Sequence, residues 1–181
     1  MTRVNSTAIL VPLFLILFSA CSSGGGDGGG GPTAPSEANI GGLWNGTTTL
    51  QSAGGCGCVG SFYNSLSGLQ DNFTTQVNQN GPSFTARATS NSTGLWCDYS
   101  GTVSSNSWSM NATQCNVTFI AGFTCANGNR RDLTLVSLSA NGTVSGNTMT
   151  GNAVETWNCF NSNTGAGAGV LTIRSTDQQT R

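Results

Sequence analysis

Two stretches, SGTVSSNSWSM at residues 100–110 and NGTVSGNTMTG at residues 141–151, decide the fold. Both carry Gly-Thr-Val-Ser, one further residue and then Asn. In the second, Gly146-Asn147 accepts the positive φ of a two-residue hairpin turn, and Ser105-Asn106 holds the same place in the first. Each copy reads as two antiparallel strands folded about that dipeptide, and folding the first sets Cys97 nearly opposite Cys115. A repeat of about 40 residues also occurs in propellers and solenoids, but two copies are too few for such an array. The repeat is therefore recurrent hairpin grammar.

Outward from these copies the same grammar continues. Phe73, Thr75 and Val77 alternate, the turn Gln79-Asn80-Gly81-Pro82 follows, and Phe84, Ala86 and Ala88 resume the alternation, which predicts another hairpin. A first strand is expected over 43–50, then a Gly-rich loop with Cys56 and Cys58 and a short apolar piece over 59–66. A mixed strand is expected over 117–125, a long one from Leu133 into the second copy, a return strand over 149–160 and a closing strand over 167–175. No long stretch has a helical period. Residues 40–181 thus form one all-β domain, large enough for a proper core. A sequential meander hides its edges best by closing, so the expected fold is a single antiparallel up-and-down β-barrel of about eight to ten strands.

The chain has seven cysteines. Setting Cys21 aside leaves Cys56, Cys58, Cys97, Cys115, Cys125 and Cys159, an even set that suits a disulfide framework outside the cytoplasm. Joining Cys56 to Cys58 across Gly57 would be strained; Cys97 with Cys115 is the pairing the hairpin favours. A metal reading of the Cys-Gly-Cys pair is the weaker one, because there is no histidine and oxidation competes for the thiols.

The N-terminal stretch gives the address. Arg3 precedes an apolar run over 8–18, too short to span a bilayer, for which about 20 residues are needed, and Ser19 and Ala20 stand before Cys21: a secretory signal peptide over 1–20. The sequence LFSAC resembles the lipobox of bacterial lipoproteins, which implies a diacylglycerol thioether on Cys21 and a new N-terminus there. Residues 21–39 then read as a Gly-rich tether, stiffer at Pro32 and Pro35. Ser22 and Ser23 lack the Asp that favours inner-membrane retention in enterobacterial lipoproteins, so the resemblance implies the outer membrane, with the membrane itself as first partner.

Gly42-Leu43-Trp44 resembles the G-x-W of lipocalins and related calycin barrels, and Arg174 lies on the last expected strand, as does the arginine that covers that tryptophan in the family. The resemblance implies barrel closure by Trp44 and Arg174, a contact of about 0.5–2 kcal/mol. Lipobox, tether, G-x-W strand and GTVSGN hairpins together resemble small bacterial lipoproteins with lipocalin- or avidin-like barrels.

Chemistry is sparse. Formal net charge is −1 and histidine is absent; all six cations are arginine, so nothing draws nucleic acid by counterion release. The common general bases, the Ser-His-Asp triad, Schiff-base lysines and the P-loop are missing. Asp71, Asp98, Asp132 and Glu155 show no spacing that joins any two. A non-enzymatic monomer without cofactor is expected. Trp96, Trp108 and Trp157 are core fill if they face inward, and ligand platforms for a small apolar molecule or a glycan if they face a barrel mouth. The expected function is an outer-membrane lipoprotein whose barrel binds that small apolar ligand or glycan, with inward Ala86, Ala88 and Ala112 leaving room for it; the alternative is a structural, partner-binding or inhibitor lipoprotein whose barrel is filled by inward Phe73, Phe84, Trp108 and Met110.

Overall fold

The computed structural model describes residues 37–181. The stretch read as a signal peptide, Cys21 and nearly all of the expected tether lie outside the described residues. From β1 (Gly42–Gly54) the chain enters a short helix, α1 (Cys58–Ser65), and then β2 (Gln70–Asn80), β3 (Ser83–Ser90), β4 (Trp96–Ser104), β5 (Ser107–Cys115), β6 (Phe119–Thr124), β7 (Arg130–Ser145), β8 (Thr148–Asn161) and β9 (Gly167–Thr180). Every pairing is antiparallel. β5 pairs with β7 and β9 pairs with β1, so eight strands close into a barrel, and β6 is an extra strand on β7.

Both quoted stretches form the expected hairpins. β4 and β5 turn at Ser105-Asn106, with Ser104 opposite Ser107; β7 and β8 turn at Gly146-Asn147, with Ser145 opposite Thr148. Ser105 takes φ 52° and Gly146 φ 56°, the left-handed conformation this turn requires. The β2–β3 hairpin turns at Gly81-Pro82 as its residues predict.

The seam between β5 and β7 is short. Their pairing covers Ser107–Asn111 of β5 and residues 139–143 of β7; further down, the same edge of β7 is taken by β6, which pairs with residues 130–134. Met110 and Ala112 face this seam and are half-buried, unlike most inward residues.

Three elements differ from expectation. The apolar piece after Cys58 is the helix α1, not a strand, because Gly55, Cys56 and Gly57 all take positive φ and break the extended chain before it. A side chain on Gly60 would strike the Gly55 carbonyl, so the helix lies directly against that turn. β1 runs on to Gly54, and β9 runs to Thr180.

The ends of the barrel are unlike one another. At the near end the chain arrives through residues 37–41, beside the three tight turns and the C-terminus. Ala38 N–H donates to Ser105 O at 2.9 Å, Ile40 is buried in the core, and the Trp44 indole donates to Ile40 O at 2.7 Å. Gln79 seals the same corner, accepting from Ile40 N and donating to Ala38 O. The far end carries α1 and the disulfides Cys56–Cys159, Cys58–Cys125 and Cys97–Cys115.

Two apolar clusters fill the long axis. Trp44, Phe73, Phe84, Trp108 and Met149 belong to the near one; Leu50, Val59, Tyr63, Leu133, Trp157 and Ile173 belong to the far one. Between them the inward positions turn polar. Thr48 separates Trp44 from Leu50 on β1, and Glu155 separates Ala153 from Trp157 on β8. Ser175 and Asp177 lie beyond Ile173 on β9.

Candidate functional site

The polar layer is built by strand alternation. On β9 the inward series Leu171, Ile173, Ser175, Asp177, Gln179 is buried throughout, and each of these is at most 5 % exposed. Gly151 on one flank and Thr48 on the other stand opposite Asp177. Thr75 on β2 is 1 % exposed and Glu155 on β8 is 3 % exposed.

Glu155 accepts a hydrogen bond from the Trp157 indole at 3.1 Å. Burial pushes its carboxyl up to about 7, against that hydrogen bond and with help from Asp177; burial alone pushes Asp177 up to about 7. Both acids are therefore neutral over much of the acidic range, the usual response of a carboxyl in low dielectric without a cation partner. Thr48 Oγ1, Thr75 Oγ1, Asp177 Oδ1 and Gln179 Oε1 are buried without a hydrogen-bond partner, a cost of about 1–3 kcal/mol each unless something fills the gap.

Two cavities lie among these side chains. One, of about 20 Å³, touches Thr75, Asp177, Gln179, Ala88 and Ala140; the other, of about 10 Å³, touches Ile40, Trp108 and Met149. Each has room for roughly one water, which needs about 10–15 Å³. Phe73, Phe84 and Trp108 all face inward and are buried, alongside the small Ala86 and Ala88.

The residues singled out in the sequence scatter. Trp108 and Trp157 are buried and donate inside the wall, Trp108 to Thr143 O at 3.2 Å, so neither lines an open mouth. Trp96 is half-buried at the far end of β4 with the Arg87 guanidinium 4.1 Å from its ring centroid. Arg87 in turn forms a two-pronged pair with Asp98, which sits directly opposite it, at 2.7 and 2.8 Å; Asp98 is a strand acid held low by that bond.

Arg174 does not cover Trp44. It is exposed on the outer face, paired in register with Ser52 and Val154, whereas Trp44 points inward. The cation on Trp44 is Arg181, 4.8 Å from the ring centroid. β9 is longer than its apolar alternation implies, so Arg181, the residue just past its end, reaches the near end, and Arg174 in its middle does not.

All six remaining cysteines are disulfide-bonded, which leaves no thiolate for the metal reading of Cys56 and Cys58. Asp71 accepts from Ser90 and Ser92 and pins the β3–β4 loop. Asp132 accepts from Gly122 N and Ser162 Oγ. The inward members that sequence reasoning passed over are Asp177 and Gln179. Their signal was the phase of Leu171 and Ile173, which continues through Ser175 into a tail that reads as merely polar.

Comparison of the chain with protein-family models, with curated proteins and with solved structures returns no match.

Proposed function

We propose that this chain is an exported, non-enzymatic lipoprotein of the outer membrane, held by lipid on Cys21, whose barrel is a rigid scaffold that presents its far end to a protein partner of the cell envelope. The observation that carries this reading is polarity of the fold. The chain joins the barrel at the near end, while α1, the three disulfides and three of the six exposed large apolar side chains, Phe62, Leu69 and Val170, lie toward the opposite one; Leu43 is exposed at the near end. The sixteen residues from Cys21 to Ser36 can reach at most about 55 Å. A barrel so tethered is attached at the end that carries its turns, which leaves the braced end free for a partner.

Disulfides at the far end fit that role. They fix α1 and the loops around it before a partner arrives, which lowers the ordering cost of binding. The test is site-specific photo-cross-linking in intact cells. A cross-linking residue in place of Phe62 captures a discrete protein, and one in place of Asn147 at the near end does not. Capture from Asn147 alone would reverse the orientation.

A second reading places a small apolar ligand or a glycan with the protein. The interior cavities are each the size of one water, so an internal ligand needs core side chains to move. A glycan has a better surface outside, in a shallow groove of about 710 Å³ lined by Asn78, Asn80, Ser83, Thr85, Ser100 and Thr102.

A further inference from the structure

β6 is the strand of this fold with a single neighbour. Among the described residues it pairs with β7 alone, whereas each of the other strands has a partner on both sides. Alternate residues of an antiparallel strand turn their N–H and C=O groups away from the partner, so one side of Phe119–Thr124 offers unpaired backbone donors and acceptors. Charged side chains and proline are the usual guards of such an edge. The β6 sequence, FIAGFT, holds neither, and a bulge between Ile120 and Phe123 is its one irregularity.

The edge is held in place before anything docks. Phe123 is buried, its ring meets Phe62 of α1 at 5.3 Å between centroids, and Cys125, just beyond the strand, is bonded to Cys58. Phe119, at the start of β6, is instead 55 % exposed, and so is Val136, two residues along β7 from Thr134, the register partner of Phe119. Arg130, opposite Thr124, is exposed, and a side chain on Gly122 would strike its guanidinium, so the cation lies against the β6 backbone. No acid among the described residues forms an ion pair with it; that contact occurs between Arg87 and Asp98. Asp132, near enough to feel Arg130, accepts through Oδ1 from Gly122 N and Ser162 Oγ.

We propose that the free edge of β6 takes up an extended segment of the envelope partner by strand addition, with an apolar side chain of that segment against Phe119 and Val136 and a carboxylate at Arg130. The proposal rests on the reading that the far end meets a protein partner, and adds the means of recognition. Main-chain hydrogen bonds supply affinity, and alternate side chains supply selectivity. The six residues of β6 accept a segment of similar length, about 20 Å. A second copy of this chain fits less well, because its own β6 brings no carboxylate to Arg130.

The experiment uses the full chain in intact cells, with a photo-cross-linking residue in place of the exposed Ala121. It captures the same protein as the cross-linker in place of Phe62, and the captured peptide carries Asp, Glu or a C-terminal carboxylate. Arg130→Glu lowers capture about tenfold, the effect of losing one charge-assisted hydrogen bond, and Arg in place of the partner's acid restores it. Phe119→Lys also lowers capture, whereas Leu43→Lys, at a near-end position of similar exposure, does not. Capture from Phe62 but not from Ala121, or capture undiminished in Arg130→Glu and Phe119→Lys, overturns strand addition and leaves the far-end reading standing. A second copy of the chain captured from Ala121 overturns it too. No capture from either position overturns both.

Discussion

Arg181, the last residue of the chain, lies with its guanidinium 4.8 Å from the centroid of the Trp44 ring and donates through Nη1 to the Gly41 carbonyl at 2.8 Å. Trp44 is fully buried and donates to Ile40 O. One side chain thus ties the end of β9 to the start of β1 and to the segment that closes the near end. Arg181→Ala should destabilise the protein by about 1–2 kcal/mol, a cation–π contact plus a hydrogen bond. Arg174→Ala should stay within about 0.5 kcal/mol, as exposed substitutions do. Urea denaturation of the two variants separates them; equal losses would refute the assignment of Arg181.

The buried acids set the pH dependence of stability. Burial raises Glu155 and Asp177 to about 7 in the folded protein, against about 4 in the unfolded chain. Between these values the unfolded chain releases protons that the folded one keeps, so stability should fall from about pH 4 to pH 7 and level off above it. Asp98 and Asp132 are held low and work in the opposite sense only below about pH 4. Urea midpoints at pH 4.5, 6 and 8 test this. The double variant Glu155→Gln with Asp177→Asn should be flat across the window, and a wild-type midpoint that climbs with pH would contradict the account.

Loop closure ranks the disulfides. Cys58–Cys125 spans 67 positions and Cys97–Cys115 spans 18. Chain entropy gives about 4 kcal/mol for the first and about 3 kcal/mol for the second. Cys97 and Cys115 are also direct partners in the β4–β5 register, so the sheet already holds them together. Paired Cys→Ser replacement should therefore lower the thermal midpoint more at Cys58 and Cys125 than at Cys97 and Cys115, and should leave α1 more open to proteolysis.

The proposed lipid anchor makes its own prediction. Cys21→Ser should move the protein from the membrane fraction to the soluble periplasmic extract and remove the mass of the acyl chains. Each buried CH₂ contributes about 0.8 kcal/mol to anchoring. Persistence of the Cys21→Ser variant in washed membranes would refute lipidation as the means of attachment.

Most of the barrel was legible because its information is local. Gly146-Asn147 and Ser105-Asn106 specify turns by themselves, and alternation specifies which side chains face inward. The Cys97–Cys115 pair followed from that same hairpin. What stayed hidden depends on distant partners. Cys56 meets Cys159 across the far end, and nothing in spacing ranks that pairing. Residues 176–179, TDQQ, read as a polar tail until the barrel supplies a polar interior for Asp177 and Gln179. Glu155 and Asp177 come together only because β8 and β9 are neighbours. The eight residues of α1 make barely two turns, too few to show a period, and three positive-φ residues before it had to be known to break the strand.

The central claim is a closed barrel that serves as a scaffold rather than a vessel. Native mass spectrometry of the oxidised protein, made in the periplasm, tests it most directly. The account predicts the mass of the processed, lipidated chain less six hydrogens, from three disulfides, with no organic adduct. A stoichiometric organic mass that leaves only on denaturation would contradict it and make the interior a binding site.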